Sequence, residues 1–138
     1  MAVLNERRRL ETVQAIFEGT EWRTAEQINA LQERPPASRS QPASDWRRGG
    51  RIYSVAIDGR EYFAGYQFDM ACQPQPVIRE ILAALGPVSD TWKIAAWFHF
   101  PNGWIGGARR QAVAPKDALH RPQDVIAAAK RKNGSYIA

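Results

Sequence analysis

Residues able to do covalent or acid-base chemistry are few and scattered. His99 sits among Trp97, Phe98 and Phe100, and His120 beside Arg121 and Pro122. An imidazole acts as base or ligand when a specific partner orients it. For His99, packing among aromatics with a ring nitrogen satisfied by backbone is the simpler reading, and His120 has a weaker case still. The single cysteine, Cys72, lies in MACQPQP without a neighbouring base, so it reads as a tolerated thiol and not a nucleophile. One cysteine excludes an internal disulfide framework, and there is no CxxC or Cys/His spacing suited to zinc. No Ser/His/Asp grouping stands out. The glycines of NGWIGG (102–107) do not precede GK[ST] and read as a tight turn, not a phosphate loop. The pattern points away from an enzyme, with no cofactor and no metal.

Binding chemistry is better represented. Nineteen Lys and Arg against fourteen Asp and Glu give the 138-residue chain a charge of +5, which favours an acidic partner. The excess is local. Residues 1–51 carry 9 basic and 7 acidic side chains, 52–100 carry 3 and 5, and 101–138 carry 7 and 2. Arg47, Arg48 and Arg51, with Ser44 in the same segment, are candidate DNA contacts if residues 43–48 enter a groove. Arginines ending a short helix equally offset its dipole and solvate its surface. Trp104 lies in a Pro/Gly turn and not on a periodic apolar face, which suits either core or an interface anchor. Lys130, Arg131 and Lys132 suit the end of a last helix, and the tail with Tyr136 and Ile137 either frays or inserts into a partner's cleft.

Periodicity and punctuation give the elements that carry these residues. Val3, Leu10, Val13, Ile16 and Phe17 share one face of a helix over about 3–18, stopped at Gly19. Thr24 and Gln27 form a capping-box pattern before a short second helix ended by Pro35 and Pro36. RPPASRSQPASD (34–45) reads as a loop, either a linker or a lengthened turn, followed by a short helix begun by Pro42 or Ser44 and ended by glycine. IYSVAI and EYFAGY flank Asp58-Gly59-Arg60, predicting a β-hairpin over 52–66. After Asp69 the reading is helical: a helix from Pro76 to Gly86, one capped by Ser89 or Asp90 that ends at Pro101, a short helix near 115–119, and a last one over about 122–132. The expected fold is mainly α. A degenerate helix-turn-helix with a small β-hairpin wing occupies residues 1–69, and a small C-terminal helical bundle with a tail occupies 70–138. The first twenty residues lack a signal-peptide core and no apolar run is long enough to span a bilayer, so the expected setting is the cytoplasm, away from membranes.

The run YFAGYQFD (62–69), then VIREILAAL (77–85), DTWKIAAWFHFPNGWIGG (90–107), PKDAL (115–119) and DVIAAAKR (124–131), resembles the toxin-binding domain of Xre/MbcA/ParS-like antitoxins. TAEQINAL with SDWRRGGRIYSV resembles the degenerate helix-turn-helix region of the same family. The resemblance implies a non-enzymatic antitoxin that sequesters a RES-domain toxin, itself an NAD-consuming enzyme, and that represses its own operon by binding operator DNA as a homodimer. It carries Trp104, Gly106 and Gly107 onto the family's turn, Pro115 and Leu119 onto its short helix, and Val125, Ile126 and Ala129 onto its final helix. The implied toxin-facing residues are Trp104, Gly106, Gly107, Lys130, Arg131, Tyr136 and Ile137. One departure is ARRQAVA (108–114), which makes the connection after Gly107 longer than the family's.

Overall fold

Helix α1 (Ala2–Glu18) turns Val13, Ile16 and Phe17 inward against α5 (Thr91–His99), and its polar positions outward, in a computed structural model that describes residues 2–33 and 41–137. Leu10 leaves the apolar face and is 68% exposed. The two helices run side by side in the same direction. Arg9 bonds Asp90 at the start of α5 through Nη1 at 2.7 Å, and Gly19 meets His99 at its end. A Cβ on Gly19 would stand 2.5 Å from His99 Cε1, so the glycine sets how closely α1 ends against α5.

Strand β1 (Trp22–Arg23) leads into α2 (Ala25–Ala30), whose Thr24/Gln27 capping box is formed as expected, with Thr24 N–H to Gln27 Oε1 at 2.9 Å. Residues 34–40, most of the expected Pro/Ser loop, lie outside the described residues. Helix α3 (Pro42–Arg48) starts with proline in its first turn, where a missing N–H costs nothing. Then β2 (Val55–Ile57) and β3 (Arg60–Ala64) pair antiparallel with Ile57 opposite Arg60, across a turn in which Asp58 (φ 50°) and Gly59 (φ 77°) both take the left-handed conformation that Asp-Gly tolerates. Strand β1 joins the far side of β3, giving the sheet order β1-β3-β2.

The hairpin's open end is closed by a side chain. Gln67, fully buried, accepts from Tyr53 N–H through Oε1 at 2.8 Å and donates through Nε2 to the carbonyls of Tyr53 at 3.0 Å and Ala64 at 3.3 Å. Its amide supplies the pairing that the strands no longer provide.

Helices α4 (Pro76–Leu85) and α5 have the expected bounds, with Asp90 capping α5 by accepting from Trp92 N–H at 3.2 Å. Beyond them the expectation of a purely helical bundle is corrected. NGWIG forms strand β4 (Asn102–Gly106), which pairs antiparallel with β5 (Ala112–Val113), and ARR (108–110) makes the 3-10 turn between them. The longer connection thus folds back on β4 as a hairpin, because alternation puts Ile105 in the core and Trp104 outside, a period of two that the glycines obscured. A 3-10 turn (Pro115–Asp117) replaces the expected short helix, and α6 (Pro122–Ile137) continues past its expected end near residue 132. Among the described residues there are six helices and two small antiparallel sheets, so the fold mixes α and β where a mainly α one was expected.

The principal core gathers Ile16, Tyr53, Val55, Ile78, Ile81, Phe98, Ile105, Val125 and Ala129. Each large side chain there contributes about 1.5–3 kcal/mol relative to exposure. This cluster crosses residue 69. Tyr53 stacks on Phe98 with centroids 5.7 Å apart, and Trp92 Nε1–H donates to the Ala56 carbonyl at 3.2 Å. A smaller cluster of Ile28, Ala43, Ile52, Phe63, Phe68 and Cys72 seats α2 and α3 on the sheet.

Candidate functional site

The α3 arginines are exposed but engaged within the chain. Ala43 is buried and Trp46 packs over Phe68, which fixes the inward face of α3 and turns Arg47 and Arg48 out. Arg47 Nε lies 3.0 Å from Glu61 Oε2 on β3, and Glu61 also accepts from the Ser54 hydroxyl at 2.7 Å. Arg48 pairs with Asp45 one turn back. The Arg51 guanidinium lies 5.9 Å over the Trp46 ring, and the Ser44 hydroxyl donates to Gln41 Oε1 at 3.3 Å. Ser44, Arg47, Arg48 and Arg51 are therefore brought together on one short helix and its exit. Arg47 in addition ties that helix to the hairpin. Glu61 as its counter-charge is a long-range pairing with no signal in the local sequence.

Trp104 projects from β4 and is 63% exposed. The Arg131 guanidinium, from α6, covers the indole with its carbon 4.0 Å from the ring centroid, close enough for a cation-π contact. Asn102 Oδ1 accepts from Trp104 N–H at 2.9 Å, fixing the strand at the indole. Arg121 Nη1 donates to the Gly106 carbonyl at 2.6 Å and its Nη2 lies 2.7 Å from Asp124, which anchors the start of α6 to β4. Gly107 N–H donates to the Gln111 carbonyl at 2.7 Å, closing the hairpin. A Cβ there would meet Val113 Cγ2 at 2.6 Å, so this glycine is needed for packing. Lys130 and Arg131 are exposed on α6. The helix backbone includes Tyr136 and Ile137, while their side chains lie outside the described residues. Of the residues assigned to a toxin-facing surface, Trp104, Gly106 and Arg131 thus form one face.

Lys116, His99, Cys72, Tyr53 and Tyr66 have structural partners. Lys116 Nζ donates to the Gly19 carbonyl at 2.9 Å, which caps the end of α1, and lies 3.2 Å from His99 Nδ1. Burial lowers the His99 pKa below its ordinary value and the Lys116 ammonium lowers it further, with Asp117 opposing, so the neutral ring accepts from lysine. Cys72 is buried, with Sγ 3.5 Å from Arg23 Nη1. Burial pushes this thiol up, Arg23 offsetting part of the rise, which disfavours the nucleophilic thiolate. The hydroxyls of Tyr53 and Tyr66 bond one another, and burial holds both well above the ordinary phenol range.

An open cleft of about 700 Å³ lies between β2 and the α4–α5 connection, lined by Arg47, Ser54, Glu61, Leu82 and Ile94, among others. It is apart from the Trp104 face. Among the described residues, no group of three or more His, Cys, Asp or Glu could hold a metal ion, and no helix is long and apolar enough to cross a membrane. Comparison of the chain with protein-family models, curated proteins and solved structures finds no match.

Proposed function

We propose that this chain is a cytoplasmic antitoxin, a non-catalytic protein that binds a RES-domain toxin and protects cellular NAD. The observation that carries the reading is the exposed Trp104 held under Arg131 on β4 and α6, inside the segment whose motifs resemble an antitoxin's toxin-binding domain. A rigid aromatic with a cation stacked on it is a preorganised interface anchor. The positive charge of residues 101–138 steers it toward an acidic surface. The end of α6, with Tyr136 and Ile137, enters the toxin's NAD cleft. The test is NAD consumption by the purified RES protein encoded beside this chain. The full chain should suppress it, and a chain lacking residues 131–138 should suppress it less. Equal protection by both would remove the tail from the mechanism, and no protection by either would remove the antitoxin assignment.

A second reading is favoured by the sheet. The succession α1, β1, α2, α3, β2, β3 with strand order β1-β3-β2 suits a winged helix-turn-helix in which α3 enters a DNA groove beside the β2–β3 turn. It supports operator binding by a homodimer, either as autoregulation or as the chain's sole role. DNA affinity should then fall steeply with salt and fall again in Arg47→Ala and Arg48→Ala. Affinity unchanged in both variants would end this reading.

A further inference from the structure

Strand β2 is an outer strand of its sheet, paired with β3 on one side only. The bonds around it show which backbone groups its free edge presents. Tyr53 gives both its N–H and its C=O to Gln67 on the β3 side, and Ile57 meets Arg60 across the two-residue turn. The Ala56 carbonyl points the other way, accepting from Trp92 Nε1–H on α5 at 3.2 Å. Alternation along an extended chain therefore sends the backbone groups of Ser54 and Ala56 to the outer edge. With the Ala56 carbonyl taken, that edge offers the Ala56 N–H and both backbone groups of Ser54.

The edge opens into the cleft of about 700 Å³ between β2 and the α4–α5 connection, where Leu82, Val88 and Ile94 make an apolar wall. A second hollow shares Gly50, Leu82, Gly86 and Pro87 with this cleft and extends it toward Arg79, so the two form one elongated groove. Arg60 lines the first hollow and Arg79 the second. Both are exposed, and among the described residues neither has an ion pair. Glu61, the one acidic side chain among the described residues lining the groove, is already engaged by Arg47 and by the Ser54 hydroxyl.

We propose that an extended acidic segment of a partner protein adds to the free edge of β2 in this groove. Its backbone pairs with Ser54 and with the Ala56 N–H, its alternate apolar side chains rest on Leu82, Val88 and Ile94, and its carboxylates meet Arg60 and Arg79. Charge selects this occupant. Residues 34–40 of the chain itself, RPPASRS, bring two arginines and no acid, so the groove repels them. The site is separate from the Trp104 face and rests on neither functional reading above.

The probe is the end-blocked heptapeptide Ser-Asp-Val-Thr-Val-Asp-Ser, titrated into isotope-labelled full-length protein and followed by amide chemical shifts, beside a control peptide with lysine for each aspartate. Saturable shifts centred on Ser54 and Ala56 are expected with the acidic peptide and none with the lysine peptide. Ala56→Pro removes the outward N–H and leaves the ladder to β3 intact, and should weaken binding at least about tenfold. Arg60→Glu and Arg79→Glu should each weaken it about fivefold, and they decide the matter if the proline variant fails to fold. No saturable shift up to about 1 mM acidic peptide would overturn the proposal. So would equal binding of the two peptides, wild-type affinity in a folded Ala56→Pro, or wild-type affinity in both arginine variants. Shifts at Ser54 and Ala56 that follow protein concentration without peptide would assign the edge to a second copy of the chain, and shifts there with a DNA duplex but not with the peptide would assign the arginines to nucleic acid. Either result would overturn it as well.

Discussion

Replacing Gln67 with Met keeps nearly the same side-chain volume and removes three hydrogen bonds, to Tyr53 N–H at 2.8 Å, the Tyr53 carbonyl at 3.0 Å and the Ala64 carbonyl at 3.3 Å. Tyr53 is 4% exposed and Ala64 fully buried, so water does not replace what is lost. Two backbone groups of Tyr53 are left unpaired at about 1–3 kcal/mol each, which places the cost on the order of 3 kcal/mol. At roughly 2.1 cal/mol/K per residue of unfolding entropy, that corresponds to a fall of about 10 °C in Tm for a chain of this length. Gln67→Glu adds a sign. The ionised carboxylate cannot donate to either carbonyl, and uptake of a proton restores one donor. A glutamate buried there has its pKa raised above the unfolded value, so its contribution is full below the unfolded pKa of about 4.3 and is lost as pH rises through the folded pKa. Relative to wild type, Gln67→Glu should therefore gain stability on going from pH 7 to pH 5. Urea unfolding followed by tryptophan fluorescence measures both effects. A Met variant that melts within about 2 °C of wild type, or a Glu variant with the wild-type pH profile, would refute the view that this amide holds the hairpin closed.

The α1–α5 contact predicts an asymmetry. Arg9→Ala should cost about 0–1 kcal/mol as a partly exposed ion pair, whereas Asp90→Ala also removes the cap on Trp92 N–H and should cost about 1–2 kcal/mol. Equal losses in chemical denaturation would deny Asp90 its capping role. The Arg9 guanidinium holds the Asp90 carboxyl below the usual carboxylate range, with the Trp92 N–H assisting and burial opposing, so this stabilisation is present above the ordinary carboxylate pKa and lost as pH falls through the depressed value. His99 behaves likewise at higher pH. Its contribution is full above the ordinary imidazole value and declines as pH falls toward its lowered pKa. An NMR titration should find the His99 pKa nearer its ordinary value in Lys116→Met, and an unchanged pKa would show that lysine is not a cause.

Local order was legible wherever a short-range rule decided it. The Thr24/Gln27 capping box, the Asp58-Gly59 turn and the proline at the start of α4 act within a few residues, and each element begins or turns where these residues put it. Strand β4 was hidden because its alternation, Trp104 out and Ile105 in, is only two residues long between glycines. The last helix runs past 132 because Gly134, of a residue type that ends a helix when it turns left-handed, stays helical here. Of the candidate binding residues, Trp104 was visible as an aromatic off any periodic face. Its cover by Arg131, 27 positions later, depends on how α6 docks against β4. Arg47 and Glu61 likewise pair only through the register of the hairpin beside α3. Gln67 had a faint signal, a lone amide in the run YFAGYQF.

The bonds that seat α1 have a consequence for synthesis. Arg9 reaches Asp90 across 81 positions, and Gly19 receives Lys116 across 97. Helix α1 therefore gains its contacts with α5 only once residues 91–99 have been made, although Phe17 can meet Trp22 much sooner. A nascent chain of this kind exposes part of an apolar helix face until α5 emerges, and that interval is when it is most open to proteases, chaperones or premature association.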